Sequence, residues 1–184
     1  IKTDILGNKK ETYVQSDISN LARVFTGYDW DWSRVTWRDV SWLTYQVPST
    51  EFANTPMALK AGDHSILEAT FLGTTIPANT PGPQALKTAL DTLFNHPNVG
   101  PFFGKQMIQR LVTSNPSPGY VSRVADKFNN NGSGVRGDLK AVWRAILTDP
   151  EARTVPSGAT AGKLREPMVR LVQWARTFDI YSTN

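Results

Sequence analysis

Four side chains combine the types and neighbourhoods that acid–base chemistry needs: His64, Arg110, Arg165 and Glu166. His64 stands near Asp63 and Glu68, and an imidazole beside carboxylates can exchange protons near neutral pH or hold a divalent ion. Glu166 precedes Pro167, a pairing that suits the first turn of a helix, and Arg165 offers a planar fork to a carboxylate or another anion. With Arg110 supplied by another helix, Glu166 would act as general acid or base and the arginines as a clamp on substrate or oxyanion. The same charges also fit an interhelical ion-pair network that sets registry without catalysis, which is the default for such clusters. The only histidines, His64 and His96, lack ligand spacing, so neither a metal nor a cofactor is expected. No serine sits in a G-x-S-x-G elbow.

The run Gly132-Ser133-Gly134-Val135-Arg136-Gly137 has the glycine spacing of a phosphate-binding turn. A helical pattern, and not a strand, precedes it, so the dinucleotide context is missing. What survives is an anion site of Arg136, Gly137 and Asp138 at a helix start. The competing reading is a chain reversal in which Asp138 complements the helix dipole.

A third set is aromatic. Trp30, Trp32, Trp37 and Trp42 are four of the six tryptophans and crowd into one stretch without periodicity, from Tyr28 to about residue 82. Tyr28, Trp30 and Trp32 alternate with Asp29 and Asp31, which would put the aromatics on one face of an extended chain. Buried, these rings would pin a long loop; exposed, they would form a platform for a partner. Burial is the default for such large apolar groups.

The elements that must position these residues are helical. Ser16 as N-cap, with Ile18, Leu21, Ala22 and Phe25 on one face, predicts a first helix ended by Gly27. Apolar stripes then recur at Leu86 to Phe94, Val99 to Leu111, Tyr120 to Phe128, Leu139 to Leu147 and Leu164 to Phe178. Pro97, Asn115 to Pro118, Asn129 to Gly134 and Asp149-Pro150 punctuate them. The expected architecture is all-α, an irregular bundle of about six helices with a long tryptophan-rich loop at 28–82 that has room for a short hairpin. Residues 1–12 read as a tail or severed connection and 13–184 as one helical domain.

The bulk composition narrows the partners. The chain has 184 residues, no cysteine and a formal charge of +4. Disulfides, thiolate metal sites and cysteine nucleophiles are excluded. Acidic residues interleave with the basic ones, so no nucleic acid is expected. No apolar run approaches the roughly 20 residues of a membrane span. The start at Ile1, without an initiator methionine, reads as processing or as part of a longer protein.

Several ordered blocks resemble one family. Leu93-Phe94-Asn95-His96-Pro97-Asn98-Val99-Gly100-Pro101-Phe102, then Gln109 to Pro118, Gly134 to Val142, Asp149 to Arg153 and Gly162 to Pro167 are similar to consecutive blocks of the bacterial family called domain of unknown function 1800. Leu21 to Gly27 and Phe71 to Pro77 look like two more. The resemblance covers the chain outside the tryptophan-rich stretch. It implies the carboxyl-terminal part of a longer exported protein, in a periplasmic or extracellular setting. Its implied partners are the missing amino-terminal portion of the same protein and a co-encoded exported protein. It implies no activity. In the family a lysine usually follows the acidic residue before Phe-Leu-Gly; here Glu68 remains and Ala69 stands in that lysine's place. The combined expectation is a helical binding or assembly module. The alternative is part of an enzyme whose site lies at the junction with the missing half.

Overall fold

A computed structural model of the chain describes residues 11–31, 35–38, 47–48, 54–155, 157–159 and 161–180. They fall into two compact units divided between His96 and Pro97. Each has its own core.

In the first unit, helix α1 (Gln15–Val24) opens on a reciprocal cap, in which the Asp17 carboxylate accepts the Val14 N–H at 2.8 Å. The cap residue is Val14 and not Ser16. The strand pairs β1 (Tyr28–Asp29) with β4 (Ala58–Leu59), β2 (Trp37–Arg38) with β3 (Val47–Pro48), and β5 (Ala69–Phe71) with β6 (Thr74–Ile76) are all antiparallel. The fold is therefore mostly helical but not all-α. The well-formed hairpin is β5–β6, where Ala69, Phe71 and Ile76 point into the core and Thr70 and Thr75 pair across the outer face at 2.9 Å. Its tight turn puts Leu72 and Gly73 at φ 49° and 78°. Helix α2 (Gly82–Asn95) completes a core of Val24, Ala69, Phe71, Ile76, Ala85 and Ala89.

Helix α1 faces the hairpin along a row the hydrophobic pattern does not mark. Asn20 donates to the Thr70 carbonyl at 2.8 Å, Arg23 to the Glu68 carbonyl at 3.1 Å, and Asp17 accepts the Leu72 N–H at 2.9 Å. Val24 is the residue buried there, whereas Ile18 and Phe25 of the expected inner stripe are half-exposed. The polar contacts rotate the helix away from the face that hydrophobicity alone predicts.

The second unit contains α3 (Val99–Leu111), α4 (Pro118–Asn129), α5 (Leu139–Thr148), the short α6 (Pro150–Arg153) and α7 (Pro167–Thr177). Ile108, Tyr120, Val124, Phe128, Val142 and Ile146 form its core. Helices α3 and α4 approach closely because Gly100 and Gly104 face α4. A Cβ on Gly104 would lie 3.0 Å from Val124 Cγ1. Ser117 caps α4 and Asp138 caps α5, so the predicted breaks fall where expected. The last helix begins at Pro167, three residues later than its apolar stripe, because a residue before proline is driven to extended backbone and Glu166 has ψ 148°.

Candidate functional site

The approach to α7 is fastened to the end of α3. The Gly162 carbonyl accepts from the Ser114 N–H at 3.1 Å and from Thr113 Oγ1 at 3.2 Å, and the Leu164 N–H donates to Ser114 Oγ at 2.9 Å. Arg110 on α3 forms an ion pair with Glu166 at the cap of α7. Beyond that tether α7 is uncovered among the described residues. Leu171, Trp174 and Phe178 keep 56%, 53% and 64% of their surface in solvent. Trp174 and Phe178 pack ring to ring with centroids 5.7 Å apart.

Two open grooves flank the helix. One, of about 490 Å³, has Leu164, Trp174 and Phe178 as its apolar floor and Lys163, Arg165 and Arg170 on its rim. The other, of about 420 Å³, runs over Met168, Val169 and Val172 beside Arg176. Arg165 and Glu166 thus share one segment, with Glu166 engaged by Arg110. The arrangement can grip an apolar surface and attract negative charge.

The other expected site residues are placed as follows. His64 belongs to the first unit, where its Nδ1 lies 3.0 Å from the Thr26 carbonyl and must carry the proton to bond it. The Ser65 N–H donates to Thr26 Oγ1 at 2.8 Å, and the Lys60 N–H to the Gly27 carbonyl at 2.8 Å. Gly27 has φ 79°, and a Cβ there would sit 2.8 Å from the Lys60 carbonyl oxygen, so only glycine fits this seam. His64 is thereby a clasp residue. Neither His64 nor its acidic neighbours form a cluster able to hold a metal among the described residues.

At the glycine-rich turn, Asn130 Oδ1 accepts from the Gly132 and Gly134 N–H groups, and Asn131 Oδ1 from those of Ser133 and Val135. Gly137 donates to the Phe128 carbonyl at 2.8 Å. Arg136 bonds Asn129 and lies over the Phe128 ring, 5.0 Å from its centroid. Asp138, held below the usual carboxylate range by the Asn131 amide and then by the Ala141 N–H, puts a negative charge at the start of α5. The N–H groups of Gly132, Ser133, Gly134, Val135 and Gly137 are thus engaged within the turn.

Trp30 and Trp37 are 49% and 56% exposed, so these two do not pin the loop by burial. Trp32 and Trp42 lie outside the described residues.

The most elaborate polar cluster escaped the sequence reading. Asp149, only 7% exposed, receives Arg123 in a two-pronged contact of 2.7 and 2.8 Å and caps α6 through the Glu151 N–H. Glu151 in turn accepts from Ser117 Oγ at 2.5 Å and from its N–H at 2.9 Å. The Tyr120 hydroxyl donates to the Ile146 carbonyl at 2.5 Å. Arg123 holds the Asp149 carboxyl below its ordinary range, while burial, aided by Asp149 and Glu151, pushes Tyr120 up to about 12. The Asp149-Pro150 pair was legible only as a stop signal. Nothing local reveals that Arg123, on another helix, completes it.

A model of the family described as "Protein of unknown function (DUF1800)" matches residues 6–184. The chain belongs to this family. The match runs through the tryptophan-rich stretch, which the block-by-block resemblance left out. No curated protein and no solved structure matches the chain. In this DUF1800 chain Ala69 lies buried in the first core, a place that suits its small side chain. No helix among the described residues is long and apolar enough to cross a membrane.

Proposed function

We propose that this chain is a helical binding and assembly module, that α7 is its docking element, and that it packs against the rest of a longer parent protein and a partner. The observation carrying this reading is the breadth of the apolar surface on α7. Met168, Val169, Leu171, Val172 and Trp174, with Phe178 at the C-cap, spread over more than half the helix circumference at 100° per residue, all exposed, with Arg176 the one charge inside that arc. A surface helix of one compact body carries a narrower stripe, and contiguous exposed apolar patches mark interaction sites. The family resemblance supports an exported protein with a periplasmic or extracellular setting.

The enzymatic alternative draws less support. His64 is engaged by Thr26, Glu166 by Arg110, and the Asp149 cluster is internally satisfied. The test is a photo-crosslinking residue at position 171 in the producing cell. The expected result is an adduct mapping to an apolar segment of the parent protein or of one defined partner, with amide exchange in α7 slowed in the assembly. An unprotected α7 with no such adduct would refute the module.

A further inference from the structure

Resting on the docking reading, we infer that the partner presented to α7 is an amphipathic helix with acidic flanks. The charge around the groove carries this. From Lys163 to Ile180 the cations are Lys163, Arg165, Arg170 and Arg176, against the acids Glu166 and Asp179. Glu166 is already neutralised by Arg110. The side chains of Lys163, Arg165 and Arg170 have no hydrogen-bond or ion-pair partner among the described residues, yet all three rim the groove floored by Trp174 and Phe178. Like charges gathered beside an apolar floor repel one another, and an anionic partner whose apolar side fills the floor removes that cost.

Other occupants fit less well. A second copy of the same face would set Arg165 and Arg170 against cations. A bilayer would meet a helix of 11 residues with grooves on both flanks and Arg176 inside its apolar arc, between Val172 and Val169, whereas interfacial helices separate a charged face from an apolar one. A small anion would satisfy the rim and leave the rings in water. An acidic amphipathic helix places apolar side chains in both grooves and carboxylates on the rim, the helix-in-groove mode of recognition.

The test uses the intact chain and a designed helical peptide of leucine, alanine and glutamate, with leucines on one face and glutamates flanking it. Its glutamine counterpart, polyglutamate and vesicles containing phosphatidylglycerol are run beside it. The glutamate peptide is expected to bind at least about tenfold more tightly than the glutamine peptide or polyglutamate, with the difference shrinking at high salt. Arg165→Glu with Arg170→Glu should reverse the preference toward a lysine-flanked peptide, and Trp174→Ala should weaken glutamate and glutamine peptides alike. Equal binding of the two peptides overturns the acidic partner but leaves docking on α7 standing. Binding of neither peptide, tighter binding to vesicles, or self-association insensitive to the arginine reversal also overturns it.

Discussion

Asp149 shows how one buried carboxylate joins three helices. It takes the guanidinium of Arg123 on α4, follows the end of α5 and caps α6. Asp149→Asn keeps a good capping residue and removes the charge, so it should cost on the order of 1–2 kcal/mol near neutral pH, the low end for a charged hydrogen bond because Arg123 is half-exposed. The carboxyl is depressed in the folded chain. Its contribution is therefore present above the ordinary value of 3.8 and fades as pH falls through the lower folded value. Denaturant titrations across acid pH should show the Asn variant losing stability less steeply than the parent. Tyr120 has the opposite sign. Its folded value of about 12 lies above the unfolded value of 10.0, so stability falls as pH rises between them. Tyr120→Phe should flatten that alkaline decline while costing about 1 kcal/mol at neutral pH, since the Ile146 carbonyl loses its hydroxyl donor.

At the scale of elements, contact chemistry decides which faces turn inward. Gly104→Val should destabilise by about 1–3 kcal/mol in equilibrium unfolding, because Val124 is buried and stiff at χ1 and cannot yield to a new branched side chain. Asp17 serves both the start of α1 and the turn at Leu72, so Asp17→Ala should accelerate amide exchange at Val14 and Leu72 together. Helices α2, α4 and α5 were legible as elements because their stops are strong, but only α4 turns its whole expected row inward. Leu90 and Phe94 of α2 and Leu139 and Leu147 of α5 are exposed, and the residues α2 buries are Gly82, Ala85 and Ala89. Tyr120, Val124, Ala125 and Phe128 are buried as their spacing predicts. The inner face of α1 was not legible and that of α3 only in part, since Val99, Phe103 and Met107 do pack against the core while the fully buried row was missed. One is lined by Asp17, Asn20 and Arg23, and the other by Gly100 and Gly104, neither of which registers as hydrophobic periodicity. The sequence leaves room for a short hairpin within 28–82, but its alternation points to Tyr28 to Trp32, and the position of β5–β6 was hidden by its brevity, three residues to a strand. At the candidate site, Arg110, Arg165 and Glu166 were named from sequence while Trp174 was missed, because a stripe of apolar residues looks the same whether a neighbour covers it or not.

Taken as a whole molecule, the chain leaves α7 tethered at one end and, among the described residues, bare along its length. Leu171→Lys with Trp174→Lys should change the melting temperature little, because neither ring nor leucine is covered among the described residues, and should raise the concentration at which the protein stays monodisperse in light scattering. The first unit holds a different kind of opportunity. Tyr28 stands opposite Leu59 and Asp29 opposite Ala58, with Lys60 bonded to Gly27 and the Lys60 ammonium 2.5 Å from Asp29. The β1–β4 pairing therefore brings the two ends of the span 30–57 together. With those ends already paired, splicing a short hairpin turn between Asp29 and Ala58 should lower the closure entropy by about 1.5–2 kcal/mol while sparing the seam that holds His64.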